Sequence, residues 1–246
     1  SKLQKNNIEL AYKENIILNL SSFDDVEHIE SFYLKNKVSP KYHLKFDTGM
    51  TRLGFDLNDA EAVYESLSKP LHPYIEGIYT HFATADEGDL SYAKKQLSDF
   101  KMVVRKVESF GLKFKFIHCS NSGAVLNLEK SYFNMVRVGM LLYGALPSNE
   151  VIDNIGIRPV MSFCGSIVNV RRVKKNTPIS YGGVYKTASD TNIAVIQTGF
   201  ADGFPRPWFE NGYVIYNGQK FKIAGRVCMD QLMIDFGNDV PELGDD

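Results

Sequence analysis

Cysteine and histidine are scarce in this chain, and their pattern excludes several kinds of site. Cys119, Cys164 and Cys228 are far apart, odd in number and form no CxxC pair, so neither a disulfide framework nor a zinc site is indicated. The five histidines are dispersed, with no HxH or HExxH motif, and no metal site is predicted. Widely spaced thiols fit a reducing compartment, so a cytoplasmic location is expected.

The chain also lacks an excess of charge and any long apolar run. Its 28 lysines and arginines balance 29 aspartates and glutamates, which leaves no general electrostatic footprint for nucleic acid or an anionic membrane. No apolar run approaches the roughly 20 residues of a membrane span. What is present is 246 residues, 44% of them hydrophobic, enough to bury one large core or two smaller ones. A small, neutral partner is therefore favoured.

The first 145 residues alternate β-rich runs with helical patterns. Five strands are predicted, at residues 16–20, 42–47, 74–82, 115–121 and 135–144. Three amphipathic helices are predicted between them, at residues 23–36, 56–69 and 91–111, the last ended by Gly111. Such alternation indicates βα units and a parallel sheet, either open or closed into a barrel, and we favour a barrel.

From about residue 159 the helical patterns stop and strand-like segments follow. A hairpin turn is indicated at Asn217–Gly218. The segment 145–159 is polar and contains prolines, as connections between domains often do. The expected fold class is α/β plus all-β: a partial (β/α)8 TIM-type barrel over residues 1–146, followed by a mostly β domain over residues 147–246.

Only five barrel strands are predicted, whereas a closed βα barrel has eight. An unclosed barrel would expose an apolar interior and unpaired strand edges. We therefore expect a fragment that lacks the first barrel strands and the end of the β domain. The fragment alone is expected to be inactive.

Polar residues follow the predicted strands, at the edge where parallel barrels hold their active sites. They are Lys45, Asp47 and Arg52; His81 and Asp86; His118, Asn121 and Ser122; and Arg137. Each has a purely structural alternative.

The alternatives are ordinary ones. Asp47 would cap a turn with Arg52 in solvent, and His81 would be a core histidine. Asn121 or Ser122 would cap a helix, although the same helix N-terminus could bind a phosphate. Arg137 interrupts an apolar segment, where a buried guanidinium needs an acceptor, either a protein carboxylate or a ligand.

Seven segments, in order, resemble alanine racemase, a pyridoxal-phosphate (PLP) enzyme with a barrel and a β domain. They are "LKFDTGMTRLGF", "THFATADE", "HCSNSGA", "VRVGMLLYG", "ISYGGVYKT", "GFADGFPR" and "AGRVCMDQ". The resemblance covers residues 41–246, and the first 40 residues fit only loosely.

The resemblance implies roles for the residues that match. Tyr181 would be one of two catalytic bases, reaching across a homodimer into the partner's barrel, and Arg137 would hydrogen-bond the pyridine nitrogen of PLP. His81 would link this arginine to the tyrosine. Arg52 would lie beside the phenolic oxygen of the cofactor and the substrate carboxylate, to which Met229 of the partner subunit would donate its backbone N–H. The other implied residues are His118, which would support Arg137; Asn121, Ser122, Gly139 and Met140 at the cofactor; and Asp86, Arg206 and Arg226 along the access corridor.

Three departures from the family pattern are visible. The lysine that binds PLP covalently and acts as the second base has no matching motif, and neither has a second phosphate-binding tyrosine. Phe200 stands where the family often has tyrosine. Lys45 matches a lysine that is carbamylated in some relatives, and its alternative is a plain salt-bridged lysine.

The function that the resemblance implies is interconversion of L- and D-alanine, with D-alanine used for peptidoglycan. Two alternatives stay open. One is a racemase domain for serine or another small amino acid, and the other is a noncatalytic PLP-binding or structural remnant.

Overall fold

The chain divides into two compact units, Ser1–Val160 and Met161–Asp246. The computed structural model describes residues 2–67, 69–151 and 155–245. Ser68, in the second predicted helix, and residues 152–154, in the predicted connection, lie outside the described residues. The first unit is α/β and the second is mostly β, as the sequence predicts.

The described part of the first unit contains a four-stranded parallel sheet. Its strands are β1 (Leu18–Leu20), β2 (Tyr42–Lys45), β3 (Ile75–Tyr79) and β4 (Phe116–His118), in the order β1-β2-β3-β4. Its helices are α1 (Ile8–Lys13), α2 (Phe23–Asn36), α3 (Ala60–Ser66), α4 (Ser91–Ser109) and α5 (Ser122–Asn127). A helix joins each pair of neighbouring strands, as parallel pairing requires. None of these described helices combines the length and apolarity needed to cross a bilayer.

The predicted helices form where the apolar spacing places them. α2 has the predicted bounds, and the Ser22 side chain caps it by accepting the Asp25 N–H. In α4, Leu97, Phe100, Val104 and Val107 are all buried, and each contributes about 1.5–3 kcal/mol by burial. Its stop signal is confirmed as well, since Gly111 has φ +93° and donates its N–H to the Glu108 carbonyl.

The fifth strand, predicted at residues 135–144, is wrong for this structure. Met140–Tyr143 form a 3-10 turn, and Val136, Leu142 and Tyr143 are exposed. The Arg137 N–H donates to the Ser120 carbonyl at 2.9 Å, yet none of the described strands pairs with this segment. An apolar run does not reveal whether a neighbouring strand is available to pair with it.

The two faces of the parallel sheet differ in polarity. Leu44 and Ile78 pack into the apolar core beneath the helices. Because side chains alternate along a strand, His43, Lys45 and His118 occupy the other face. This second face therefore carries titratable groups instead of an apolar core.

The second unit is built on an antiparallel sheet. Its strands are β5 (Ile167–Val173), β8 (Thr191–Ile196), β9 (Tyr213–Tyr216), β10 (Gln219–Ile223) and β11 (Leu232–Asp235), ordered β5-β8-β11-β10-β9, with a separate hairpin of β6 (Pro178–Ile179) and β7 (Tyr185–Lys186). The turn at Asn217–Gly218 joins β9 to β10 with positive φ at both residues, which confirms the predicted hairpin. Leu232 and Ile234 alternate into the core of this unit.

Candidate active site

Arg137 is the centre of a polar cluster at the carboxyl ends of β3 and β4. Its Nη1 donates to Nδ1 of His118 at 2.5 Å, and its Nη2 lies 3.2 Å from Nδ1 of His81. Nη2 also donates to the carbonyls of Thr80, at 2.8 Å, and Cys119, at 3.3 Å. The structure thus brings together Arg137, His81 and His118, three residues that the resemblance assigns to one site.

The Arg137 guanidinium has no carboxylate partner among the described residues. Of the two acceptors that the sequence left open, a protein carboxylate is therefore not found in the described part of the chain. Burial lowers the pKa of Arg137, but a guanidinium stays charged at physiological pH. Its carbon lies 5.0 Å above the ring centre of Tyr79, a cation–π contact. The cluster therefore holds the positive charge of Arg137 without a carboxylate partner among the described residues.

Both imidazoles beside Arg137 are neutral in the folded chain. Burial, and then the positive charge of Arg137, lower the pKa of His118 to about 3 and that of His81 to about 4. Because a guanidinium only donates hydrogen bonds, Nδ1 of each ring accepts. Each neutral ring then carries its proton on Nε2.

These imidazoles make the stability of the first unit depend on pH. Their pKa values in the folded chain lie below the ordinary value of about 6.5, so the unfolded chain binds more protons as pH falls. Their contribution is full above about pH 6.5 and is lost as pH falls towards the folded values. We expect the urea midpoint to rise between about pH 5 and about pH 7. Far-ultraviolet circular dichroism measures it, since all the described α-helices lie in the first unit.

The matched variant for this pH dependence is His118→Phe, which removes one of the titrating rings. Its urea midpoint should rise less over the same interval. A midpoint that falls with pH, or an unchanged rise in the variant, would contradict the assignment of neutral buried imidazoles.

A cavity of about 590 Å³ opens on the polar face of the parallel sheet. It is lined by Ile17, Leu18, Asn19, His43, Lys45, Arg52, Leu53, Tyr79, His81, His118, Met135 and Arg137. Cationic and neutral hydrogen-bonding side chains therefore surround a space of small-molecule size.

Arg52 reaches this cavity from a turn that Asp47 organises. The Asp47 carboxylate accepts the backbone N–H groups of Gly49 and Met50 at 2.8 Å and of Arg52 at 3.1 Å. Burial pushes the pKa of Asp47 up, but these backbone donors outweigh it and leave the pKa below its usual value. The capped turn is thus confirmed, and Arg52 is exposed to solvent while also lining the cavity.

Gly54 is required for the return of this turn to the sheet. It has φ +137°, and a Cβ there would lie 2.6 Å from the backbone nitrogen of Asp47. We expect Gly54→Ala to reduce the free energy of unfolding by about 2 kcal/mol, from backbone strain and overlap together. Gly111→Ala is the matched control, because Gly111 has φ +93° with nothing within 4 Å. Equal urea midpoints for the two variants would show that steric overlap at position 54 does not contribute to the loss of stability.

The residues expected at the cofactor phosphate lie near one another. Ser122 Oγ accepts the Gly139 N–H at 3.1 Å, and Met140 begins the 3-10 turn that follows. The Asn121 side chain caps α5, since its Oδ1 accepts the Ala124 N–H at 3.0 Å. The helix-cap interpretation of Asn121 is confirmed, and a cofactor contact by this residue stays a prediction.

Lys45 is buried on the same face as His43. No described carboxylate forms an ion pair with it, so the salt-bridged alternative is not found there, and its ammonium lies 5.7 Å from the ring centre of Tyr79. Burial first, and then the charge of Arg52, lower its pKa. Lys45 and Arg52 therefore both contribute to the positive potential of the cavity.

Asp86 lies apart from this cluster, in a turn after β3. Its carbonyl accepts a hydrogen bond from Ser148 Oγ, and it is absent from the cavity lining.

His43, in contrast, lines the cavity although the sequence did not single it out. The available signal was its position two residues before Lys45, on the same face of one strand.

In the second unit, Tyr181 and Arg226 lie on neighbouring turns. Tyr181 is 64% exposed and follows Ser180, whose Oγ donates to the Arg226 carbonyl at 2.6 Å. A Cβ on Gly182 would lie 3.3 Å from Nη1 of Arg226. The phenol is thus presented to solvent from an anchored turn.

The remaining predicted residues of the second unit cluster around a second loop pair. The Phe200 N–H donates to the Cys228 carbonyl at 3.0 Å, and the Ala201 N–H to the Met229 carbonyl at 2.8 Å. The guanidinium carbon of Arg206 lies 5.6 Å from the ring centre of Phe200. Phe200, Arg206 and Met229 therefore lie on adjoining segments.

The donor set in the first unit fits the ring nitrogen of a pyridine cofactor. Arg137 has five N–H groups, and its Nε–H makes no hydrogen bond among the described residues. A donor that cannot easily lose its proton therefore remains for an electron-rich ring atom. No group of three or more metal-ligating side chains occurs in the described ranges.

Comparisons with protein families match both units. Residues 1–147 match the family model described as "Alanine racemase, N-terminal domain", and residues 160–246 match "Alanine racemase, C-terminal domain". The match begins at residue 1, so the first 40 residues fit the family better than their sequence alone indicated.

Curated relatives and solved structures agree with these matches. The chain is 38% identical to an alanine racemase of Desulforamulus reducens over 230 residues, 93% of this chain and 62% of the relative. It is 37% identical to one of Halothermothrix orenii, covering 96% of this chain and 62% of the relative. The chain thus spans about three fifths of the length of these relatives.

Among solved structures, the alanine racemase of Clostridium difficile 630 matches with TM-score 0.90 and 33% identity, over 100% of this chain and 65% of that one. A Bartonella henselae alanine racemase, described with covalently bound pyridoxal phosphate, matches with TM-score 0.83 and 27% identity, over 96% of this chain and 65% of that one.

Proposed function

Because the chain belongs to the alanine racemase family, we propose that it binds PLP and supplies most of an alanine racemase active site in its complete gene product. Enzymes of this family depend on PLP in general. The observation that carries the proposal is the cluster in which Arg137 contacts both His118 and His81 at the cavity.

Arg137 would hold the cofactor ring by donating a hydrogen bond to its nitrogen. Bound PLP supplies an electron sink for the electron pair left when a proton leaves the α-carbon of an amino acid. Since the guanidinium does not readily give up its proton, it would leave the ring nitrogen unprotonated and so weaken the sink. This would disfavour side reactions at the α-carbon.

Tyr181 of a partner subunit would remove or return the α-proton on one face of the substrate. Racemisation needs a base on each face, and the second base, a lysine in the family, has no matching motif here. Neutral His81 carries its proton on Nε2, so it would donate to the phenol oxygen. Arg52, at the cavity, would present its positive charge to the substrate carboxylate, with the N–H of the partner subunit's Met229 as a second donor.

The other site residues would complete binding and access. Ser122, Gly139 and Met140 would contact the cofactor phosphate, and Asp86, Arg206 and Arg226 would line the access corridor of a homodimer. Phe200 would make this corridor less polar than a tyrosine would. The proposed location is the cytoplasm, where the D-alanine product would serve peptidoglycan synthesis.

The test is to assay the complete gene product with PLP for conversion of L-alanine to D-alanine by chiral chromatography, with serine in parallel. We expect alanine to be the better substrate by kcat/KM. Arg137→Met should abolish turnover, whereas the exposed Arg105→Met should not. A preference for serine would favour the alternative substrate. PLP binding without turnover would support a noncatalytic protein instead.

A further inference from the structure

His43 contacts the Arg137 cluster through His118. It is 8% exposed on β2, and its Nδ1 lies 2.8 Å from Nε2 of His118. The two rings are 5.0 Å apart between centroids. A line of hydrogen bonds therefore runs from Arg137 through His118 to His43.

Each hydrogen bond in this line has a defined direction. Because Arg137 can only donate, Nδ1 of His118 accepts, and the proton of neutral His118 is on Nε2. That Nε2–H points at Nδ1 of His43, which must accept in turn. Neutral His43 then carries its own proton on Nε2.

The last donor of the line has no acceptor. Nε2 of His43 is buried without a hydrogen-bond partner among the described residues, an arrangement that destabilises a folded chain. A Cβ on Gly77 would lie 2.8 Å from this atom, so the strand leaves room for the ring by having glycine opposite it. An apolar side chain at position 43 would avoid the unsatisfied donor, so what His43 adds is its acceptor at Nδ1.

We infer that His43 is a positioning residue, which holds His118 in the tautomer whose Nδ1 accepts from Arg137. In the other tautomer, His118 would direct an N–H at the guanidinium N–H, and the Arg137 side chain would lose one of its two imidazole acceptors. The consequence for racemisation rests on the proposed function, whereas the tautomer itself does not.

The experiment compares His43→Asn with His43→Leu in the 246-residue chain labelled with ¹⁵N-histidine. Asparagine places an amide oxygen near the position of Nδ1 and can accept, whereas leucine is of similar size and cannot. Long-range proton–nitrogen spectra at neutral pH report which ring nitrogen carries the proton. His72, whose Nε2 lies 3.0 Å from the Leu67 carbonyl, serves as the reference for a folded first unit.

We expect His118 to be protonated on Nε2 alone in the wild-type chain and in His43→Asn. In His43→Leu, its Nδ1 signal should move towards the protonated position while the His72 signals stay unchanged. An unmoved His118 signal in His43→Leu, or an equal shift in both variants, would overturn the inference. Should His43→Leu fail to fold, a proton on Nδ1 of His118 in the wild-type chain or in His43→Asn would overturn it equally.

A second measurement separates this inference from the proposed function. In the complete gene product, kcat for alanine should fall in His43→Leu and be retained in His43→Asn. A shifted tautomer in a protein that racemises nothing would refute the function and leave the positioning role intact. Racemisation by a protein in which the His118 tautomer does not shift would refute the positioning role and leave the proposed function intact.

Discussion

Replacing Tyr181 by phenylalanine in the complete gene product will slow removal of the α-proton from one enantiomer of alanine about 10²–10⁴-fold, the usual contribution of a general base. Removal from the other enantiomer will be affected far less. The substitution deletes one hydroxyl from a side chain that is 64% exposed, so folding should not change. The measurement is exchange of the α-proton for deuterium, started separately from L- and D-alanine.

The control for this prediction is Tyr213→Phe. Tyr213 lies on β9 of the same unit and is 49% exposed, but it is not among the candidate site residues. It should leave both exchange rates unchanged. Small and equal effects of Tyr181→Phe in the two directions would contradict a base that acts on one face.

The positions of the two site histidines could be predicted from strand ends alone. β3 ends at Tyr79 and β4 at His118, so His81 and His118 emerge at the same edge of a parallel sheet. The helices could be predicted equally well, because α2 and α4 have clear caps or stops and an apolar stripe at helical spacing.

Arg137 could not be placed in the same way. Its segment was predicted as a strand, yet it forms a loop whose Arg137 N–H donates to the carbonyl of Ser120, two residues after β4. Its approach to the histidines depends on long-range packing, which no local pattern encodes. The strand pattern grouped Arg137 with the histidines on the basis of a strand that does not form, and the resemblance to a family assigned all three to one site.

His43 was missed for a different reason. A histidine inside a strand is most simply interpreted as a core residue, and the sequence does not show which face of the sheet lacks an apolar cover. The polarity of that face becomes visible only when β2 and β4 are adjacent to β3 in register. Asn121 posed a similar difficulty, because a helix cap and a phosphate site begin with the same residues.

Replacing Arg137 by methionine will lower the free energy of unfolding of the first unit by about 3 kcal/mol. Methionine fills similar space but leaves the Nδ1 atoms of His118 and His81, and two carbonyls, without their donor. The substitution also removes the desolvation cost of burying the guanidinium, which offsets part of this loss. Urea unfolding followed by circular dichroism measures the change.

Two further variants make this stability prediction specific to the geometry of Arg137. Arg137→Lys keeps the charge but not the planar fork of donors, and it should fall between the wild-type chain and Arg137→Met. Arg105, exposed on α4, donates only to the Lys101 carbonyl of its own helix, so Arg105→Met should change stability by no more than about 0.5 kcal/mol. If Arg137→Met proved as stable as Arg105→Met, the four hydrogen bonds would not hold the loop to the sheet, and the cluster would lack the rigidity that orienting a cofactor ring demands.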